Sequence, residues 1–306
     1  MKKINLLLPL VFLIGCAPVD ETTINIFAPN GTPSLALANY YEDYKDSYNI
    51  FDLGAGPDAV TAAFANLENK YDVILAPTNI GATFYNKTKK YLLYQTIVWG
   101  NLYIASTEKI TSFSDLENQT IIMYGENATP GIVVKILISH HQLKNITLDF
   151  TGSDDETVGS LLLANKAKYV VIAEPSLSKI KKQNPDLNVL DLQNEWKNLT
   201  GSTSYPQASI FVKASLKGKI DNQLQKITKS VLDTIANPQK TALKAVKMSS
   251  TFNELGTEIL TSAIPNCHYE INEKQKEAID YYFNVLNDLG KSAMYGGTIP
   301  NEDFYY

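Results

Sequence analysis

Hydrophobic and polar positions change period repeatedly along this chain, and the changes mark out its elements. Residues 24–28 (Ile-Asn-Ile-Phe-Ala) alternate and predict a strand, followed by a Pro-Asn-Gly-Thr-Pro turn at 29–33. A helix over 35–44, with Leu35, Ala38 and Tyr41 on one face, can be capped by Thr32 or Ser34. Strands are predicted at 48–53, 71–75, 92–98 and 102–106, with helices over 58–67 and 81–87. The same order then returns. Strands at 120–123, 147–150, 169–173 and 189–192 alternate with helices over 132–140, 154–164 and 176–183; Val158, Leu161 and Leu162 point inward on the second of these. A strand at 207–212 leads into a helical tail over 220–237, 240–248, 252–264 and 273–289. Two series of strand, loop and helix imply an α/β chain of two lobes.

One apolar segment stands outside this scheme. Lys2 and Lys3 precede an uncharged run over 4–14 interrupted only by Asn5. It is too short to span a bilayer, which takes about 20 apolar residues, and fits a secretory signal. Its ending, Leu13-Ile14-Gly15-Cys16, resembles the lipobox of bacterial lipoproteins, in which the Cys becomes the lipid-bearing first residue. The resemblance implies a signal peptide over 1–15, lipidation at Cys16, a polar tether over 16–23, and a place on the extracytoplasmic face of the cell membrane.

Composition narrows the function classes. The net charge of −5 argues against a nucleic-acid partner. With Cys16 lipidated, Cys267 is the one remaining cysteine, so no intramolecular disulfide is expected. Cys267 adjoins His268 without a further Cys or His nearby, and reads as a small buried side chain. Every cation is Lys, so no guanidinium fork is available for an anion. The 18 tyrosines can pack or line a cleft.

Enzyme signatures are missing: there is no G-x-S-x-G elbow, P-loop or H-E-x-x-H. His140 and His141 adjoin at a helix end, and no third ligand at metal spacing accompanies them. Asp154-Asp155-Glu156 opens a helix, where carboxylates favour the dipole. Gly54-Ala55-Gly56 lacks the third glycine of a dinucleotide fingerprint. The expectation is therefore no catalytic residue, no cofactor and no metal: a protein that is not an enzyme.

Ligands of open α/β sheets sit beyond the carboxyl ends of strands, against helix N-termini. The loops there, over 29–34, 54–58, 77–79, 125–131 and 174–176, are rich in Gly, Pro, Ser, Thr and Asn. The segments 31–38, 56–64 and 76–81 resemble the extracytoplasmic solute-binding proteins of ABC importers, nearest the branch for nitrate, taurine, alkanesulfonates and thiamine precursors. Trp99-Gly100-Asn101-Leu102, Ala173-Glu174-Pro175 and the ending 296–306 add to it.

The resemblance implies the two-lobed type II periplasmic-binding-protein fold. Residues 24–102 and 213–306 would form lobe 1 and 103–210 lobe 2, joined by a two-segment hinge. It implies a monomer that delivers a small-molecule solute to an ABC permease and ATPase. It implies ligand contacts at Asn30, Thr32, Ser34, Thr78, Asn79, Trp99, Asn101, Asn127, Thr129 and Glu174. A cleft-facing Glu174 beside aromatic rings, with no Arg, would suit a neutral or weakly basic, partly aromatic solute. The alternatives are an enzyme of the same fold, of pyrimidine-synthesis or transferase type, and an anchored sensor that lost transport.

Overall fold

The computed structural model describes residues 22–306 apart from 55, 67, 69, 127, 202 and 203. The signal segment, the tether up to residue 21, and with them the lipidation expected at Cys16, lie outside the described residues, as does Asn127.

Among the described residues, ten strands form two five-stranded sheets: β1 (Ile24–Pro29), β2 (Tyr48–Gly54), β3 (Val73–Pro77), β4 (Tyr91–Trp99), β5 (Tyr103–Ser106), β6 (Thr120–Ile122), β7 (Thr147–Asp149), β8 (Tyr169–Ile172), β9 (Asn188–Asp191) and β10 (Pro206–Lys213). The first sheet has the order β2-β1-β3-β10-β4 and the second β7-β6-β8-β5-β9. In each, three parallel strands meet one antiparallel strand, β10 in the first and β5 in the second. The chain crosses between sheets twice, from Trp99 to Tyr103 and again between β9 and β10. This is the two-lobed α/β architecture of the type II periplasmic-binding-protein fold.

The α-helices among the described residues that cover the sheets are α1 (Thr32–Leu35), α2 (Ala38–Asp43), α3 (Gly56–Ala65), α4 (Thr78–Thr88), α5 (Thr129–His140), α6 (Asp155–Leu163), α7 (Ser176–Gln183), α8 (Leu192–Thr200), α9 (Asp221–Ala236), α10 (Pro238–Met248), α11 (Ser250–Ala263) and α12 (Gln275–Asp288). The helix expected over 35–44 is two pieces. Leu37 N bonds Ser34 O in a tighter turn, and the helical path restarts at Ala38. Gly256, at φ 76°, kinks α11.

Both faces of the first sheet are buried, as its near-continuous apolar strands require. Ile24, Ile26, Ala28, Val73 and Leu75 pack with Leu37, Tyr40, Leu224, Ile227 and Val231 on one side. Phe27, Ile74 and Phe211 pack with Phe64, Tyr85, Tyr282, Phe283 and Phe304 on the other. Gly81 lets α4 lie directly on β10: a Cβ there would come within 1.9 Å of Phe211 Cζ. In lobe 2, Tyr103, Ala105, Val170 and Ile172 meet Val158, Leu162, Leu177 and Ile180. Among the described residues no helix is long and apolar enough to cross a membrane.

Candidate functional site

The carboxyl ends of β1 and β8 meet where the lobes touch. The turn after β1 is held by Asn30 N donating to Gly54 O at 2.8 Å, and it delivers Thr32 to the start of α1. Thr32 Oγ1 donates to Glu174 O, at the end of β8, over 2.6 Å. Asn101, in the first crossing, joins both: its Nδ2 donates to Thr32 Oγ1 at 2.7 Å, and its Oδ1 accepts from Glu174 N at 3.0 Å. Asn101 does this at φ 81°, a left-handed conformation that Asn tolerates. Tyr269 OH donates to Thr32 O at 2.7 Å and fixes the turn from behind. Thr32, Asn101 and Glu174 are 5%, 2% and 3% exposed, so this seam is dry. Three of the residues expected at a ligand site are thus brought together, as a latch between lobes.

The Glu174 carboxylate turns away from the seam. It accepts from Ser178 N at 2.9 Å and Ser178 Oγ at 3.0 Å, capping its own helix α7. Burial pushes it up to about 7, against the lowering effect of those bonds. Glu174, Leu177 and Ser178 border a cavity of about 380 Å³ between α7 and α11, with Lys181, Lys182 and Glu258 in its wall.

A cavity of about 820 Å³ lies between lobes. Its walls are Asn79 and Ile80 of α4, Ile132, Lys135 and Ile136 of α5, and Leu289, Lys291 and Met294 of the C-terminal segment, with Glu126 in the loop before α5. Asn79 is 2% exposed; its Nδ2 donates to Met294 O at 3.2 Å, which fixes the amide. Its Oδ1 is buried with no partner among the described residues. A buried acceptor without a donor costs about 1–3 kcal/mol, so a ligand that supplies one gains that much. Lys135 Nζ pairs with Glu126 at 3.3 Å. Thr129, 3% exposed, begins α5.

The other expected residues lie outside the wall of that cavity. Thr78 Oγ1 lies 2.7 Å from Ser209 Oγ, which lies 2.7 Å from Thr96 Oγ1, a hydroxyl chain inside lobe 1. Ser34 Oγ donates to Gly31 O at 3.1 Å. Asn30 Oδ1 is buried and has no partner among the described residues. Trp99 is buried at the end of β4, its N donating to His268 O at 3.0 Å. Cys267 is fully buried, its Sγ donating to Ala263 O at 3.3 Å, and burial pushes the thiol up.

Sequence reasoning passed over two features. Asp154 caps α6, as expected of the acidic run that opens it, by accepting from Thr157 N at 2.8 Å. Asp155 instead accepts from Ala173 N at 2.7 Å beside Tyr124, and burial pushes it up to about 6. Helix α8 carries Gln193, whose Oε1 accepts from Leu102 N and Tyr205 OH, each at 2.7 Å, and ties both crossings together. Among the described residues no group of three or more His, Cys, Asp or Glu side chains could hold a metal ion.

Solved structures share this fold. An ABC transporter protein of Parabacteroides distasonis is 19% identical with a TM-score of 0.79, over 93% of this chain and 99% of that one. The periplasmic aliphatic sulphonate binding protein of Escherichia coli is 11% identical with a TM-score of 0.71, over 93% and 92%. The alkanesulfonate-binding protein of Xanthomonas axonopodis pv. citri, bound to MOPS, is 12% identical with a TM-score of 0.62, over 92% and 95%. Among curated proteins none matches this sequence. The family described as menaquinone biosynthesis matches residues 65–288. That match overturns the expectation of a protein that is not an enzyme, because it points to an enzymatic family; the motifs whose absence suggested otherwise belong to other folds and chemistries. With most of its length matched, the chain belongs to the menaquinone-biosynthesis family.

Proposed function

We propose that this protein closes its two lobes on a small organic molecule, held in the cavity between α4 and α5, and delivers it to the permease and ATPase of an ABC importer. It would do so as a monomer lipidated at Cys16, on the extracytoplasmic face of the membrane. The observation that carries this reading is Asn79, a buried amide whose fixed Oδ1 faces no donor in the wall of a cavity shared by both lobes. The latch of Thr32, Asn101 and Glu174 supports it, since it ties the lobes together beside the hinge. The solute-binding proteins of similar fold support it too.

The cavity suits a ligand with three properties. An N–H or O–H group would satisfy Asn79 Oδ1. An apolar body would lie on Ile80, Ile132, Ile136, Leu289 and Met294, and an acidic group would meet Lys135 or Lys291. About 820 Å³ is in the range of pockets for small organic ligands. A thermal-shift screen of hydroxylated or aminated carboxylates tests this. A ligand at 100 times its Kd adds about 2.7 kcal/mol of stability, and its shift is expected to shrink in Asn79→Leu. The reading fails if every stabilising compound acts equally on Asn79→Leu.

A second reading, chemistry on the captured molecule, is favoured by the family match and by Asp155. A carboxyl pushed up to about 6 beside the Tyr124 phenol is suited to move a proton near neutral pH. Incubating each screened ligand with the protein and following it by NMR tests this: turnover is expected with the wild type and lost in Asp155→Asn. An unchanged ligand spectrum with the wild type would reject it.

A further inference from the structure

We propose that the cavity beside the hinge is a second binding site, for a monocarboxylate with a compact apolar body. This cavity, of about 380 Å³, is distinct from the interlobe one and shares no lining residue with it. Three of its lining residues each carry a polar atom that is buried without a partner among the described residues: Trp99 Nε1, Gln193 Nε2 and Ser204 Oγ. Trp99 is 1% and Gln193 4% exposed.

Their chemistry is one-sided. An indole N–H can only donate. The Gln193 amide is oriented by the two donors on its Oε1, Leu102 N and Tyr205 OH, which leaves its NH₂ group as the donor end, beside the Tyr103 phenol. Ser204 adds a hydroxyl that can donate. A Cβ at Gly100 would lie 2.1 Å from Gln193 Cγ and 2.7 Å from Ser204 Oγ. Those two side chains therefore sit together beside the residue next to Trp99, and only glycine leaves them room. Gathered donors of this kind call for an acceptor with several lone pairs, and bonds to a charged acceptor are the stronger ones.

The rest of the wall fixes the class. Ile235, Ile264 and Pro265 offer an apolar face, and Lys197 adds a positive charge. Glu270, exposed at the wall, disfavours a second carboxylate on the ligand. The site also has leverage. Trp99 ends β4 in lobe 1, Gln193 sits on α8 after β9, and Ser204 lies in the second crossing. A ligand bonded to all three spans both crossings and favours one lobe angle over others.

Calorimetry with benzoate as the probe tests this on the purified protein. Benzoate is expected to bind at one site, and its neutral isostere benzamide more weakly. Trp99→Phe, which keeps a ring and loses the N–H, is expected to weaken benzoate about tenfold, and Ser204→Ala about fivefold. Ser204→Ala removes one buried hydroxyl from a half-buried residue, and an unchanged thermal midpoint verifies that the fold is kept. Asn79→Leu, in the other cavity, is expected to leave benzoate binding unchanged. No binding at about 10 mM benzoate, or equal affinity in wild type and Ser204→Ala, overturns the proposal. So does loss of binding in Asn79→Leu alone, which would put the probe in the interlobe cavity.

Discussion

Thr32 Oγ1 donates to Glu174 O across 2.6 Å, and this single bond joins the first helix of one lobe to the last residue before the α7 turn of the other. Both partners are buried, and Asn101 completes the ring from the crossing between lobes. Replacing Thr32 by Val keeps the shape and removes the donor. The Glu174 carbonyl then keeps only the 3.3 Å contact from Asn101 Nδ2. Urea unfolding of Thr32→Val is expected to show a loss of about 1–2 kcal/mol. Its scattering is expected to show a more open particle.

The Glu174 carboxyl gives a pH dependence of defined sign. Burial raises it from 4.5 to about 7, so between those values the folded chain holds a proton that the unfolded chain has lost. Its contribution to stability is present below about pH 4.5 and falls as pH rises towards 7, by up to about 3 kcal/mol. Asp155, raised to about 6, acts in the same direction, while His268, lowered by burial, acts in the opposite one. The difference between wild type and Glu174→Gln isolates the Glu174 part. Wild type is expected to lose more stability than the variant between pH 4.5 and 7. Parallel pH profiles would contradict this placement of the carboxyl.

Gly81 is set by packing. Adding a methyl group would drive it into the Phe211 ring, which is fully buried between lobe 1 aromatics. Gly81→Ala is expected to cost about 1–3 kcal/mol, the range of overpacked cores. Pairing it with Phe211→Leu should recover part of that loss in denaturant titrations.

Anchoring through Cys16 is tested by fractionation. Cys16→Ser is expected to remain as unprocessed precursor without lipid. If the variant is processed and fractionates with membranes as the wild type does, the anchor is something else.

The strands and the repeated lobe pattern were legible because strand apolarity and turn residues are local signals. Helix α7 runs over the expected 176–183, and the strand ends carry the loops named from sequence. The latch was legible in part: Thr32, Asn101 and Glu174 were all named, but as ligand contacts rather than as contacts with one another. No local pattern says whether a buried polar group bonds a ligand or another lobe. Glu174 illustrates the limit, since its backbone holds the seam while its carboxylate serves Ser178. Helix α8 had a signal that went unused. Asp191 caps it by accepting from Gln193 N and Asn194 N, Leu192 and Trp196 line its buried face, and Gly201 ends it in a left-handed turn. Recognising it would have brought Gln193 to the hinge. The C-terminal segment around Met294 has short 3₁₀ turns and no periodicity, so nothing in the sequence placed it against Asn79.

Capture between lobes is tested most directly by small-angle scattering of the protein alone and with a saturating ligand from the thermal-shift screen. A ligand that touches α4 and α5 together favours a closed arrangement of the lobes. The radius of gyration is expected to fall on saturation in the wild type and to fall less in Asn79→Leu. An unchanged radius in the wild type, at a concentration where calorimetry shows the site filled, would contradict capture by lobe closure.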